Sequence, residues 1–122
     1  MDTEVMQHVK NDPALHKMII ENQRKKTIYF GIYRAIMYSL SREKNLEESD
    51  RLLIKIQIDA NILGLINEDS RYKKIYQENL IEINEIMAQV SELSKEKLIE
   101  YLDIFMYRNV IADIVVINMN NV

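Results

Sequence analysis

Residues 13–42 read PALHKMIIENQRKKTIYFGIYRAIMYSLSR, and their apolar positions recur at spacings of three and four. This period matches the α-helical turn, so the stretch predicts a helix from Pro13 to about Arg42. Asp12 followed by Pro13 is a good helix start, because the carboxylate can accept an orphan backbone N–H and Pro has none to lose. The apolar stripe weakens before residue 27, so a bend or break over residues 23–27 stays open. A short strand over residues 27–33 is the alternative, and we prefer the helix because no turn nearby supplies a partner strand.

A second helix is predicted from a cap at Asn45 to about Ile66. Apolar residues lie on nearly all of its sides, among them the adjacent pair Leu52 and Leu53. A helix that is apolar all round is usually buried, so we expect this one to be central. The run from residue 54 to residue 59 also alternates like a strand, but the length of the periodic segment favours a helix.

Two more principal helices follow. Asp69 and Ser70 cap the third, which we expect to run to about residue 90, and Ser91 or Ser94 starts the fourth. A short additional helix is predicted over residues 3–9. Two glycines and one proline are too few for an all-β chain rich in tight turns. The sequence therefore predicts an all-α domain covering residues 1–122, a bundle of about four principal helices in an up-and-down or helical-hairpin arrangement.

Composition limits the classes of function. The chain has no cysteine, which excludes disulfides, thiolate metal sites and cysteine nucleophiles. The N-terminus lacks the basic start and apolar segment of a secretory signal, and the longest apolar run, residues 114–117, is far shorter than a bilayer span, so we expect a cytoplasmic protein. Abundant Ile, Asn and Lys indicate an AT-rich coding genome, such as many bacteria and phages have.

Charge is unevenly distributed, although the net charge is only −3. Residues 1–44 carry eight Lys/Arg against five Asp/Glu, and residues 45–122 carry eight against fourteen. Two basic clusters stand out, and the first has tyrosines one and two turns beyond it. These clusters predict a partner-binding surface made of Arg24, Lys25, Lys26, Tyr29, Tyr33, Arg71, Lys73 and Lys74. Nucleic acid is a possible partner, but the overall negative charge does not favour it.

Two acidic pairs suggest a different chemistry. Glu82-Ile-Asn-Glu85 and Glu100-Tyr-Leu-Asp103 each place two carboxylates one helical turn apart, on the third and fourth predicted helices. Hard oxygen ligands arranged in this way suit Mg²⁺, which could bridge phosphate oxygens and help to activate a water molecule.

The spacing of these acids resembles the E-x-x-E and E-x-x-D pattern of the all-α nucleoside triphosphate pyrophosphatases, the MazG-like group. The resemblance covers residues 78–107. It implies a Mg²⁺-dependent pyrophosphatase in which Glu82, Glu85, Glu100 and Asp103 hold the metal. The chain ends on the helix of the second acidic pair, so the family's following helix and its phosphate contacts have no evident counterpart.

The leading hypothesis is a non-enzymatic helical protein-interaction module: an adaptor, inhibitor, regulator or assembly subunit that self-associates and needs no cofactor. It rests on elimination, because the sequence contains no nucleophile–base pair, histidine metal site or phosphate-cradling glycine loop. The long first helix and the apolar run of residues 110–117 offer surfaces for such association. The pyrophosphatase, with Mg²⁺ as cofactor, is the alternative, and a nucleic-acid-binding regulator is the minor one.

Overall fold

The structure is a computed structural model that describes residues 13–42 and 44–111. It contains five α-helices: α1 (Pro13–Arg42), α2 (Glu48–Glu68), α3 (Arg71–Glu78), α4 (Leu80–Glu92) and α5 (Lys95–Met106), followed by a π-helical turn (Tyr107–Ile111). Within these two ranges the chain forms no strand, which confirms the all-α prediction. The helix expected over residues 3–9 lies outside the described residues, as does the run after residue 111.

Helix α1 is continuous, so the break considered near residues 23–27 and the strand considered over residues 27–33 do not occur. The Thr27 hydroxyl donates a hydrogen bond to the backbone carbonyl of Gln23, 2.9 Å away. A threonine that bonds back to the preceding turn tends to weaken or bend a helix slightly, and α1 nevertheless continues through this polar interval.

The start of α2 differs from the prediction. Asn45 lies in the connection before the helix, and the N-cap position is Glu47. Asp50 accepts a hydrogen bond from the Glu47 backbone N–H at 3.0 Å, so an acidic side chain in the first turn holds the helix start. The expected cap at Asn45 was therefore wrong by two residues.

The third predicted helix is divided at Asn79 into α3 and α4. The Asn79 side chain donates from Nδ2 to the Ile75 carbonyl at 2.8 Å, while its backbone has φ −110° and ψ 14°. An asparagine side chain that competes for backbone groups in this way commonly disturbs a helix. The Ile83 N–H still donates to the Asn79 carbonyl at 3.0 Å, so the chain resumes as α4 at once.

The fourth predicted helix begins at Ser94, one of the two starts that the sequence allowed. The Ser94 hydroxyl accepts a hydrogen bond from the Lys97 N–H and caps α5.

Every helix contributes to one cluster of buried apolar side chains. Two contacts join helices that are distant in the sequence. Arg51 on α2 donates from Nη1 to the carbonyls of Val90 and Leu93 at 2.9 and 2.6 Å, at the end of α4. Tyr29 on α1 packs its ring against Phe105 on α5, with 5.1 Å between centroids. The core comprises Ile28, Tyr29, Ile32, Ile36, Leu40, Ile54, Ile58, Ile62, Ile75, Ile83, Ile86, Val90, Leu98, Leu102, Phe105, Met106 and Val110.

Candidate functional site

Helix α2 exposes large aliphatic side chains to solvent. Leu52, Leu53, Ile56 and Leu63 keep 56%, 52%, 54% and 59% of their surface accessible. We call these four residues the α2 solvent face. The opposite side of the helix supplies the buried residues of the core, which are Ile54, Ile58 and Ile62.

The sequence predicted that α2 is central and buried on all sides. In the single described chain one side is exposed, so this prediction is wrong. At about 100° per residue, Leu52, Ile56 and Leu63 lie within roughly 40° of one another and point away from Ile58. Single exposed leucines are ordinary on protein surfaces, whereas large exposed apolar patches are typical of interaction sites. The sequence did contain a signal for this face: α2 has apolar residues on nearly all sides, and each apolar side favours contact with another protein surface.

The two edges of the α2 solvent face differ in charge. One edge carries Lys55 and Asp59, one helical turn apart. Lys55 donates from Nζ to the Ser91 hydroxyl at 2.7 Å, which holds its stem beside α4. The other edge carries Leu53 with the small residues Ala60 and Gly64, and a Cβ added to Gly64 would meet no atom within 4 Å. The face is thus an apolar stripe with one charged edge of mixed sign and one uncharged edge of Leu53, Ala60 and Gly64, beyond which Arg42 and Asp50 line the groove towards α1.

The predicted basic residues are only partly brought together. Arg24 of α1 and Arg71 and Lys74 of α3 line one cleft of about 470 Å³, together with Lys17. Lys25, Lys26 and Lys73 are not among the residues that line this cleft. Lys26 instead lies over the ring of Phe30, 5.5 Å from its centroid.

Acidic side chains offset much of the charge in this cleft. Asp69 holds Arg71 with its two carboxylate oxygens 2.9 and 3.1 Å from Nε, and Oδ2 lies 2.8 Å from Nη2. Arg71, and to a smaller extent Arg24, lowers the pKa of Asp69 to about 2. Lys74 pairs with Glu21 at 3.6 Å and with Glu78 at 3.8 Å. The cleft therefore presents less free positive charge than its lysines and arginines suggest.

The two predicted tyrosines lie apart from the cleft, on the side of α1 that meets α5. Tyr29 is buried and donates a hydrogen bond to Oδ1 of Asn79 at 3.0 Å. Tyr33 is half-buried and donates to Oδ1 of Asp103 at 3.3 Å. Tyr101 stands beside them, with its ring centroid 6.1 Å from that of Phe105. Sequence analysis did not single out Asn79 or Tyr101, although Tyr101 lies inside the second acidic pair.

Burial and neighbouring carboxylates keep these phenols protonated. Desolvation, then the charge of Glu82, raises the pKa of Tyr29. Desolvation and the charge of Glu85 raise the pKa of Tyr101 to about 12. Desolvation and Asp103 raise the pKa of Tyr33. One carboxylate thus acts on each of these three tyrosines: Asp103 through a hydrogen bond to Tyr33, Glu82 and Glu85 through their charge.

The acidic pairs do not converge on one point. Among residues 13–42 and 44–111, no three Asp, Glu or His side chains are placed where they could hold a metal ion together. Glu85, Glu100 and Asp103 are exposed, and Glu82 is half-buried. The structure thus places three of the four carboxylates beside tyrosines and does not gather them into a metal centre.

Comparison with known proteins finds no matching family model, no similar curated protein and no similar solved structure. The resemblance to the all-α pyrophosphatases accordingly rests on the two acidic pairs alone. In the part of the chain that is described, none of the helices is both long enough and apolar enough to cross a bilayer.

Proposed function

We propose that this chain is a non-enzymatic helical protein-interaction module that self-associates through the α2 solvent face. The observation that carries the proposal is the half-exposed state of Leu52, Leu53, Ile56 and Leu63 on one helix. Removing such aliphatic surface from water is favourable, and a second protein surface is the usual means.

The contacts between helices support an up-and-down bundle as the scaffold for this surface. The start of α2 meets the end of α4 through Arg51, which fits opposite directions for these two helices. Along α1, Tyr29 meets residue 105 and Tyr33 meets residue 103, so α1 and α5 also run in opposite senses. In such a bundle a helix can keep one side free, and on α2 that side exposes four large aliphatic side chains.

The test compares two double variants by light scattering across a range of protein concentrations. Leu52→Ser/Leu63→Ser removes the aliphatic side chains at both ends of the α2 solvent face and should shift the protein to monomer. Ile81→Ser/Ile104→Ser is the matched control, because these isoleucines are also exposed but lie on α4 and α5. It should associate like the native chain.

Two results would count against the proposal. If the native chain is monomeric at every concentration, self-association is wrong. If the control dissociates as readily as the α2 variant, the surface is misplaced. Circular dichroism should show that both variants retain the native helix content, because none of the four residues is buried.

A Mg²⁺-dependent nucleoside triphosphate pyrophosphatase is the second candidate. It is favoured by one observation: Asp103 accepts a hydrogen bond from Tyr33, while the charges of Glu82 and Glu85 raise the pKa of Tyr29 and Tyr101, so each of three acids acts on one tyrosine between α1, α4 and α5. The test is pyrophosphate release from mixed ribo- and deoxynucleoside triphosphates with Mg²⁺, for the native chain and for Glu82→Ala/Asp103→Ala. Turnover that disappears in the double variant supports the enzyme, and no turnover from the native chain removes it.

A further inference from the structure

We infer that the partner of α2 is the α2 helix of a second copy, in an antiparallel two-fold arrangement that sets Lys55 of each copy beside Asp59 of the other. This inference rests on the proposed self-association and specifies its geometry. It begins from a property of two-fold interfaces: the same patch meets itself, so the patch must be complementary to its own copy.

The apolar stripe meets this requirement in the antiparallel direction. A pairing centred between residues 57 and 58 places Leu52 opposite Leu63 of the second copy, and Leu63 opposite the second Leu52. Ile56 then lies close to the two-fold axis in both chains. The stripe from Leu52 to Leu63 spans about 16 Å, so the three aliphatic levels form one continuous contact.

The charged edge also matches itself. In an antiparallel pair of helices, like edges meet, so the edge with Lys55 and Asp59 faces the same edge of the second copy. Lys55 of one copy lies within one residue of the level of Asp59 of the other, and the symmetry repeats this pair. Lys55 already donates to Ser91, and its ammonium has two further donors for a carboxylate.

The uncharged edge completes the fit. Leu53 approaches the level of Ala60 and Gly64 of the second copy, where small side chains leave room for it. The missing Cβ of Gly64 opens onto empty space in the single chain, so nothing there obstructs a leucine.

A parallel pair lacks this complementarity. Unlike edges meet in a parallel two-fold pair, so Lys55 and Asp59 would both face the uncharged edge of the second copy. Each charge would then have no opposite charge across the pair. The mixed signs on one edge therefore favour the antiparallel arrangement.

The experiment uses charge reversal and mixing, with affinity measured by sedimentation velocity. Lys55→Glu alone sets Glu beside Asp59 of the second copy, and Asp59→Lys alone sets Lys beside Lys55. Each variant should associate at least about tenfold more weakly than the native chain, since like charges across an interface are costly. An equimolar mixture of the two should form a heterodimer, because each of its two pairs then joins opposite charges.

Control variants reverse charge away from α2. Lys97→Glu and Glu96→Lys alter exposed residues of α5 and should associate like the native chain, separately and mixed. Addition of salt should weaken the heterodimer and the native dimer to a similar extent, because both join two pairs of opposite charge at an edge that remains open to solvent.

The outcomes separate the two proposals. A native chain that associates, with single variants that associate equally well, overturns the antiparallel geometry and leaves self-association standing. Weakened single variants that are not rescued by mixing likewise overturn it. A native chain that never associates removes the proposed function together with this geometry.

Discussion

The Tyr29 hydroxyl donates a hydrogen bond to Oδ1 of Asn79, 3.0 Å away, and so ties the middle of α1 to the junction between α3 and α4. The same Asn79 side chain donates from Nδ2 to the Ile75 carbonyl. The Asn79 side-chain amide therefore lies at the division between α3 and α4 and also connects this point to α1. Apart from this bond, Tyr29 is enclosed by the apolar core.

Replacing Tyr29 with Phe should destabilise the chain by about 1 kcal/mol, the usual loss for one hydrogen bond to a side chain. The ring remains, so packing against Phe105 is preserved. Urea unfolding followed by circular dichroism measures the change. Tyr38→Phe is the control, because Tyr38 is exposed and accepts its hydrogen bond from Arg42 at the surface. An equal loss in both variants would show that the Asn79 bond has no special role.

Alkaline pH should lower the free energy of unfolding. Burial raises the pKa of Tyr29 above its ordinary value near 10 and raises that of Tyr101 to about 12. The unfolded chain therefore loses these protons first, and stability should fall as the pH rises from 10 towards 12. Urea midpoints at pH 9, 10 and 11 test this expectation. The decline should be shallower in Tyr29→Phe; an identical slope would assign the pH dependence to other groups.

Ser94→Ala should cost about 1 kcal/mol, because the hydroxyl caps α5 by accepting the Lys97 N–H. Ser70 occupies the equivalent position before α3 but makes no capping hydrogen bond with its side chain. Ser70→Ala should therefore change stability by less than about 0.5 kcal/mol. Thermal unfolding of the two variants gives the comparison, and equal losses would argue against the cap at Ser94.

Alanine substitutions at two nearby positions on α2 should differ in their effect on the free energy of unfolding. Ile54 is fully buried, and Ile54→Ala should lower the free energy of unfolding by about 2–5 kcal/mol. Leu52→Ala removes a side chain that is 56% exposed, and in dilute solution its effect on folding should stay within about 0.5 kcal/mol. Its effect should appear in association instead. A large loss of stability from Leu52→Ala in the monomer would mean that this side chain is already covered.

Much of the fold follows from local patterns in the sequence. The spacing of apolar residues from Pro13 to Arg42 and the cap at Ser94 predict helices that the structure contains. The division at Asn79 coincides with a local hydrogen bond from its side chain to the Ile75 carbonyl, whereas the bond that ties this point to Tyr29, fifty residues earlier, could not be read from local sequence. The start of α2 was misplaced because Asp50, inside the helix, holds the backbone of Glu47.

The candidate site was less accessible to sequence analysis. Apolar residues on all sides of α2 indicated burial, but the sequence does not say whether the cover comes from the same chain. Within the described residues, Leu52 and Leu63 remain uncovered. The basic residues could be counted from the sequence, whereas their acidic partners depend on how α1 and α3 pack, as the pair Lys74–Glu21 shows.

Sedimentation equilibrium of the native chain measures whether it self-associates. The chain has a mass of 14.5 kDa. Self-association through the α2 solvent face predicts a weight-average mass that rises with concentration towards twice this value, and that stays at the monomer mass for Leu52→Ser/Leu63→Ser. A native chain that remains at 14.5 kDa across the whole concentration range would contradict the account.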